Sequence, residues 1–483
     1  MGAADQAVST LGPMARRFWV ETLGCPKNQV DSDKIGGTLL ADGMVPAGSA
    51  ADADLVVVNT CAFIGDARQE SVDTVIALSD ARRDGARVVV TGCMAERYGD
   101  ELAEALDGEG VLLATDAVAG FGVPVTLGRK PDQASRSLLA GDADVPSFDL
   151  LNLPRPASSV PWAYVKVAEG CDRNCGFCAI PSFRGPQRSR SVADILGEVD
   201  ALVRPTAGST PSGEPVVDVR EIVLVAQDLA SFGRDQGRGS RQIVELVEAV
   251  SARVERTRLL YLYPSDLTDA LVDAVLATGV PYFDLSLQHV SRPLLRRMRR
   301  WGDGDRFLER IAAIRAAEPT AAFRSNFIVG YPGETEADHD ALLGFVAEAR
   351  VDWCGFFAYS PEDGTYAADL DGAVEPELMA ERLAELRELQ DAITASRRDE
   401  LLGETVEVLV DVPGQGRTHR EAPEIDGVIS VPADRPAGTV APVVVTDALG
   451  PDLVGIWAET QAGSVAPAGA AIGAPADSRA GRS

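Results

Sequence analysis

The stretch Glu169-Gly-Cys-Asp-Arg-Asn-Cys-Gly-Phe-Cys-Ala-Ile-Pro-Ser-Phe-Arg-Gly185 decides how the rest of this chain is interpreted. Its cysteines, Cys171, Cys175 and Cys178, have the spacing C-x3-C-x2-C. Three thiolates on one tight loop can bind three irons of a cubane 4Fe–4S cluster, which leaves the fourth iron open for a substrate. Structural zinc is the alternative, but it needs four ligands and usually has paired C-x2-C spacing. No His or fourth Cys lies nearby in the sequence, so the spacing favours the iron–sulfur cluster.

A cluster with one open iron is typical of enzymes that cleave S-adenosylmethionine. The amino and carboxylate groups of the methionine moiety chelate the open iron, and an electron from the cluster breaks the adjacent C–S bond to give a 5′-deoxyadenosyl radical. Phe177, just before the third cysteine, is expected to shield the cluster, although an ordinary core aromatic would look the same. The spacing therefore predicts a radical S-adenosylmethionine cluster on this loop.

The composition describes a folded and strongly acidic chain. Its 483 residues suffice for two to four domains, 46% of them are hydrophobic, and the formal net charge is −28. Such a surface repels nucleic-acid phosphates unless a local basic patch overrides it, and it attracts basic proteins. No stretch resembles a signal peptide or approaches the roughly 18 apolar residues of a membrane span. We therefore expect a cytoplasmic protein with no membrane partner and with reduced cysteines.

Residues 17–128 alternate strand-like and helix-like segments and predict an N-terminal doubly wound α/β domain. Three short runs read as strands, at 18–22, 55–58 and 87–90. A cysteine follows each of the three runs, namely Cys25, Cys61 and Cys93. One such cysteine would be an ordinary buried thiol. Because the carboxyl ends of parallel strands meet at one edge of a sheet, three at equivalent positions indicate a second three-cysteine cluster.

Residues 129–160 read as a linker, and 161–402 as a central domain of six strand–helix units. Its strand-like runs are at 162–168, 221–226, 258–263, 282–288, 323–329 and 354–359. Six consecutive units predict a partial (β/α)6 barrel with its active site at the carboxyl ends of the strands. The cluster loop follows the first strand and therefore lies at that end.

The composition changes again near residue 403. Short alternating runs separated by Gly and Pro predict a small all-β barrel over 403–460, and the Ala/Gly-rich residues 461–483 predict a disordered tail. We expect this barrel to be separable, so that a chain lacking it would still cleave S-adenosylmethionine.

Polar residues at the ends of the central strands are candidates for cofactor binding. Gly330-Tyr-Pro-Gly-Glu-Thr335 follows the fifth strand, and a Gly/Pro turn there lets the backbone approach a ligand, although a plain βα turn would look similar. Gln227 ends the second strand, where Asp228 is equally well explained as a helix N-cap. We assign cofactor binding to Gln227, Gly330, Gly333 and Glu334. No residue is assigned a catalytic role, and the lone His289 is more simply structural.

Three N-terminal motifs resemble the cysteine signatures of the methylthiotransferase family. They are Thr22-Leu-Gly-Cys-Pro-Lys-Asn-Gln-Val-Asp-Ser32, Asn59-Thr-Cys-Ala-Phe-Ile64 and Gly92-Cys-Met-Ala-Glu-Arg97. The stretch 169–185 resembles that family's radical S-adenosylmethionine loop, and the C-terminal barrel resembles a TRAM domain. The likeness extends over nearly the whole chain, from about Arg17 to Glu459.

Three further motifs resemble the RimO-type branch, which modifies an aspartate of small-subunit ribosomal protein twelve. They are Ile180-Pro-Ser-Phe-Arg-Gly185, Tyr359-Ser-Pro-Glu-Asp-Gly-Thr365 and Arg417-Thr-His-Arg-Glu-Ala-Pro-Glu-Ile-Asp-Gly427. The alternative is the MiaB-type branch, which modifies an adenosine of transfer RNA. Residues 398–459 contain four Arg or Lys and twelve Asp or Glu, a formal charge of −8. A barrel that binds transfer RNA should be basic, so charge disfavours the alternative.

The resemblance implies methylthiolation of the β-carbon of an aspartyl residue. It implies two 4Fe–4S clusters, one at Cys25, Cys61 and Cys93 and the other on the loop of Cys171, and S-adenosylmethionine as both methyl and radical source. It also implies an electron donor such as flavodoxin or ferredoxin, and a sulfur donor. A non-enzymatic iron–sulfur carrier is the third possibility, but a carrier normally ligates every iron with Cys.

Overall fold

The computed structural model of the chain describes residues 16–105, 111–113, 150–153, 155–205, 210, 213–237 and 242–458. Within them an α/β sheet, a partial barrel and a small closed β-barrel follow one another, which confirms the predicted fold class. Most of the predicted linker 129–160 and the whole predicted tail 461–483 lie outside these residues, so the domain boundaries there stay predictions. None of the described helices is long and apolar enough to cross a membrane.

The N-terminal unit is a five-stranded parallel sheet in the order β2-β1-β3-β4-β5. Its strands are β1 (Arg17–Thr22), β2 (Val45–Pro46), β3 (Leu55–Thr60), β4 (Arg87–Gly92) and β5 (Val111–Leu113), and its helices are α1 (Pro26–Ala41), α2 (Gly65–Ala81) and α3 (Cys93–Ala105). Every residue of β3 is buried because its two faces pack into different cores. Val57 packs with α1 on one face, whereas Val56 and Val58 pack with α2 on the other. Burial on both faces explains the continuous apolar runs of the sequence.

The central unit has six parallel barrel strands, in two three-stranded sheets that a bridge between Leu262 and Leu285 joins. The strands of this unit are β6 (Trp162–Lys166), β7 (Ala168–Glu169), β8 (Arg188–Ser189), β9 (Glu221–Val225), β10 (Arg256–Leu259), β11 (Tyr282–Gln288), β12 (Ala322–Val329) and β13 (Trp353–Ala358). Its helices are α4 (Ile180–Arg184), α5 (Val192–Val203), α6 (Ile243–Ser251), α7 (Asp269–Leu276), α8 (Arg292–Arg297), α9 (Gly304–Ala317), α10 (Glu336–Ala349) and α11 (Pro376–Asp399). β7 and β8 pair antiparallel and flank the cluster loop.

The C-terminal unit is a closed barrel of five strands in the order β14-β15-β16-β18-β17. They are β14 (Thr405–Val412), β15 (Gln415–Arg417), β16 (Ile429–Ser430), β17 (Val440–Leu449) and β18 (Asp452–Trp457). The sequence pattern did not reveal β15, since its three residues, Gln-Gly-Arg, have neither β-branched side chains nor a period-two pattern.

The segment between β15 and β16 packs into the floor of the six-stranded barrel. Tyr164 Oη donates to the Pro423 carbonyl at 2.7 Å, and Trp353 Nε1 donates to the Arg420 carbonyl at 2.6 Å. Tyr282 Oη donates to Asp426 Oδ2 at 2.7 Å. Removing residues from 403 onward would expose these aromatic rings and leave their polar atoms unpaired. The expectation of a separable C-terminal barrel therefore disagrees with the packing.

A buried ion cluster ties the same two units together. Glu221, at the start of β9, lies 2.7 Å from Arg258 Nε and 3.2 Å from Arg417 Nη1, and all three side chains are buried. Burial alone would raise the pKa of Glu221, but the arginines hold it well below its ordinary value. The Glu221 carboxylate is therefore a shared counter-charge for Arg258 of the central unit and Arg417 of the C-terminal unit.

We predict that Glu221→Ala lowers the free energy of unfolding by about 3–5 kcal/mol, because it removes the carboxylate paired with the buried Arg258 and one of the two carboxylates paired with the buried Arg417. The measurement is urea denaturation followed by circular dichroism. Glu255→Ala is the matched control, since Glu255 is half exposed and lies 3.8 Å from Arg220, and it should cost less than about 1 kcal/mol. Equal losses in the two variants would contradict the prediction.

Candidate functional site

The three N-terminal cysteines lie at one end of the parallel sheet. Cys25 is the N-cap of α1, Cys61 directly follows β3, and Cys93 is the first residue of α3. Gly24 has a φ of +97°, and a Cβ there would lie 2.8 Å from Cys61 Cβ, so the first loop passes close against the second cysteine. Burial, with a smaller contribution from the neighbouring Cys93 and Cys25, raises the pKa of Cys61 to about 11. The structure thus brings the predicted triplet together.

The second triplet lies on a loop that hydrogen bonds hold at both ends and at its middle. The Cys171 amide donates to the Gly185 carbonyl at 3.1 Å, and the Gly176 amide donates to the Met298 carbonyl at 2.8 Å. Burial raises the pKa of Cys171 to about 11 and that of Cys178 to about 12, so iron binding must displace protons from these thiols.

Arg173 of the cluster loop and Arg300, which contacts that loop, both lie against the ring of Tyr263. Arg300 Nη1 donates to Cys175 Sγ at 3.2 Å, and Arg173 Nε pairs with Asp228 Oδ2 at 2.5 Å. Their guanidinium carbons lie 4.2 and 3.9 Å from the centroid of Tyr263. A cation beside a cysteine sulfur favours its thiolate, which is the form that binds metal.

Arg184 joins the two triplets. Its Nη2 donates to Cys93 Sγ at 2.9 Å, and its Nη1 lies 3.5 Å from Glu169 Oε2. Lys166, at the end of β6, pairs with Glu169 at 2.6 Å and with Asp31 of α1 at 2.5 Å. These charges form a buried polar seam between the N-terminal sheet and the barrel. The sequence analysis missed this seam, although charged residues at the end of an apolar strand were a signal for it.

The four residues assigned to cofactor binding lie at the same strand ends. Gln227 Nε2 donates to Glu169 Oε1 at 2.5 Å, and Gln227 Oε1 is buried with no partner among the described residues. Gly330 and Gly333 both have positive φ, +81° and +87°. Glu334 accepts from the Gly330 amide at 2.6 Å and from Arg382 at 2.9 Å, so its carboxylate stabilises the turn. Direct contact of these residues with a cofactor stays a prediction.

Three cysteine sulfurs are a donor set that suits an iron–sulfur cluster, and each triplet supplies three. Among the described residues, no group of three or more His, Cys, Asp or Glu side chains is arranged to hold a single metal ion. A cubane cluster needs a different arrangement, since each thiolate binds a separate iron.

His289 is buried, its Nδ1 accepts from the Ser291 amide at 3.0 Å, and burial lowers its pKa to about 4, which suits a structural residue.

Family models match the chain in three blocks. "Uncharacterized protein family UPF0004" matches 17–113, "Radical SAM superfamily" matches 165–346, and "TRAM domain" matches 402–457. A ribosomal protein uS12 methylthiotransferase RimO from Kineococcus radiotolerans is 39% identical over 89% of this chain and 93% of its own length. The enzyme of the same name from Moorella thermoacetica is 40% identical over 89% of this chain and 96% of its own length.

The chain belongs to the RimO family. Cys25, Cys61 and Cys93 lie inside the block matched at 17–113, and Cys171, Cys175 and Cys178 lie inside the block matched at 165–346. The RimO-type resemblance of the three motifs is thereby confirmed, and the family match favours it over the MiaB-type alternative.

We predict that Gly170→Ala displaces the cluster loop. Gly170 has a φ of +80°, and a Cβ there would lie 2.1 Å from the Pro186 carbonyl oxygen, so the substitution should cost about 1–3 kcal/mol and lower the iron content. Gly197→Ala is the control, since nothing lies within 4 Å of its Cβ position in α5, and it should be neutral or slightly stabilising. Iron analysis and thermal unfolding measure both effects, and an unchanged iron content in Gly170→Ala would contradict the prediction.

Proposed function

We propose that this chain transfers a methylthio group to the β-carbon of an aspartate residue of ribosomal protein uS12. The observation that carries the proposal is Arg184, which hydrogen-bonds a sulfur of the N-terminal triplet from the loop that bears the other triplet. A reaction that takes a hydrogen atom at one centre and delivers sulfur from another needs both centres at one cavity. The identity of 39% and 40% to two enzymes named RimO, which extends over 89% of this chain, supports the same conclusion.

We propose two 4Fe–4S clusters, one held by Cys25, Cys61 and Cys93 and one by Cys171, Cys175 and Cys178. When bound, the barrel cluster and S-adenosylmethionine supply one-electron chemistry, which can break a C–H bond that no protein base deprotonates near neutral pH. Gln227 Oε1 is a free buried acceptor at the barrel rim and is proposed to receive a donor group of S-adenosylmethionine. Gly330 and Gly333 are proposed to let the backbone approach it, and Glu334 to fix their turn.

The protein's own residues hold the two loops in place and put a cation beside one sulfur of each triplet. Arg300 donates to Cys175 Sγ, and Arg184 donates to Cys93 Sγ. Lys166 fixes Glu169, and Glu169 in turn accepts from Gln227, so one buried chain of contacts orients the cofactor side of the site. Such support reduces the reorganisation needed when substrate binds.

The C-terminal barrel favours a protein substrate over transfer RNA. Its carboxylates at Glu404, Glu407, Asp434 and Asp447 are exposed, whereas Arg417 is buried in ion pairs with Glu221 and Asp411. The outer face is therefore acidic and suits a basic ribosomal protein. We further propose a cytoplasmic location, with a flavodoxin- or ferredoxin-like reductant and a separate sulfur donor.

The decisive experiment is mass spectrometry of uS12 and of transfer RNA from a strain in which the gene is deleted. We expect uS12 to lose the mass of a methylthio group on one aspartate, while transfer RNA modification is unchanged. Complementation with the intact gene should restore the uS12 mass. Loss of methylthio-adenosine from transfer RNA with uS12 unaffected would instead support the MiaB-type function.

We predict that the two triplets fail in different ways. Cys171→Ala should remove about half of the iron and abolish S-adenosylmethionine cleavage, whereas Cys93→Ala should remove about half but still yield deoxyadenosine without methylthio product. Cys354→Ala is the control, because this seventh cysteine belongs to neither triplet and should leave iron and product unchanged. Retained cleavage in Cys171→Ala, or full product in Cys93→Ala, would contradict the cluster assignment.

A further inference from the structure

Lys27 is a cation that faces an aromatic ring and has no ion pair among the described residues. It follows Cys25 in the first turn of α1, and its Nζ lies 3.5 Å from the centroid of the Tyr261 ring. Within the described part of the chain its ammonium has no ion pair within 4.0 Å and no hydrogen bond, unlike the neighbouring Lys166 of the polar seam. A cation–π contact holds an ammonium group in position but leaves its N–H donors available to a ligand.

The backbone of Tyr261 is strained in a way that supports this contact. Its φ is +65°, a left-handed conformation that bulky residues rarely adopt and that is enriched at functional sites. The Tyr261 amide donates to Asp284 Oδ2 at 2.9 Å, which secures the conformation. Both Lys27 and Asp284 are described residues, and no ion pair joins them. Tyr261 lies two residues beyond β10, at the barrel rim, with Cys25 among the groups whose charge acts on its phenol.

The location of Lys27 matches the place where the target residue must bind. The proposed reaction takes a hydrogen atom on the barrel side and adds a methylthio group on the side of the N-terminal triplet, so the target lies between them. Lys27 belongs to the loop of Cys25 and touches the barrel rim through Tyr261. Lys27 is thus placed next to Cys25 of the N-terminal triplet and against the rim of the barrel that bears the other triplet.

The chemistry of the target requires a cation at this place. An aspartate carboxylate that leaves water needs a counter-charge, or its desolvation opposes binding. The chain carries a net charge of −28, and the carboxylates Asp31, Glu169 and Asp284 are already buried nearby. Arg184 and Arg300 already donate to cysteine sulfurs, whereas the Lys27 ammonium has no ion pair among the described residues and can receive a new anion.

We propose that Lys27, held on the Tyr261 ring, binds the carboxylate of the target aspartate and makes the enzyme select aspartate over asparagine. This inference rests on the proposed function and assigns its specificity to one positioning residue. The chemical class that Lys27 recognises is a side-chain carboxylate on a basic protein.

The test compares the binding of two forms of uS12, one with the target aspartate and one with asparagine in its place, to the reconstituted holoenzyme. Wild type should bind the aspartate form about tenfold or more tightly, since a charged hydrogen bond is lost with asparagine. Lys27→Gln should bind both forms equally, within about twofold, and Lys27→Arg should retain the preference. Arg292→Gln, which removes an exposed positive charge at the start of α8, should behave like wild type.

Two further measurements separate this role from a structural one. Iron content and substrate-free deoxyadenosine formation in Lys27→Gln should equal those of wild type, and a loss of iron would overturn the inference in favour of cluster support. If wild type places no methylthio group on uS12, the proposed function itself fails. If wild type modifies uS12 and Lys27→Gln keeps the same preference for aspartate, only the role of Lys27 is refuted.

Discussion

The polar seam between α1 and β6 is the interaction on which the site depends. Lys166 lies between Asp31 of the N-terminal sheet and Glu169 of the barrel, and Arg184 extends the chain of charges to Cys93. Buried ion pairs contribute little net stability, because the desolvation of the charges offsets their attraction. Hydrophobic packing would hold two domains together without the desolvation penalty of buried charges. The charges are better explained by geometry, since directed hydrogen bonds fix the relative position of two cysteine-bearing loops more tightly than apolar contact does.

The three motifs that distinguish the RimO branch all lie on boundaries between domains. The motif at 180–185 carries Arg184, which reaches the N-terminal triplet. In the motif at 359–365, Glu362 lies 2.6 Å from Arg97 of α3, which links the last barrel strand to the N-terminal sheet. The motif at 417–427 closes the barrel floor. Residues that look like determinants of substrate choice in the sequence thus also determine how the domains are arranged.

Local patterns in the sequence predicted the elements but not the contacts between them. Five of the six barrel strands follow from apolar runs flanked by helices, and the cysteines after β1, β3 and β4 lie together because parallel strands share a direction. The predicted run at 258–263 was misplaced, because β10 is Arg256–Leu259 and its sequence, Arg-Thr-Arg-Leu, is not an apolar run. The contact between Arg184 and Cys93 joins residues 91 positions apart, and no periodicity encodes such a pairing. Glu334 illustrates the same limit, because its position in a Gly/Pro turn indicated a ligand contact while its carboxylate is engaged by Arg382 from α11. Side-chain partners across domains are decided by packing, which propensity does not describe.

The proposed substrate places opposite demands on the charge of this molecule at long range and at short range. At long range an acidic surface speeds the approach of a basic protein, and salt weakens that attraction over about 10 Å. At short range the same negative field opposes the entry of an aspartate carboxylate into the site. The proposed role of the Lys27 ammonium, which has no ion pair among the described residues, reconciles the two, since its field is strong only where water is excluded. If Lys27 binds the target carboxylate as proposed, its position beside Cys25 and over Tyr261 lets the whole surface attract a basic protein while the site selects an acidic side chain.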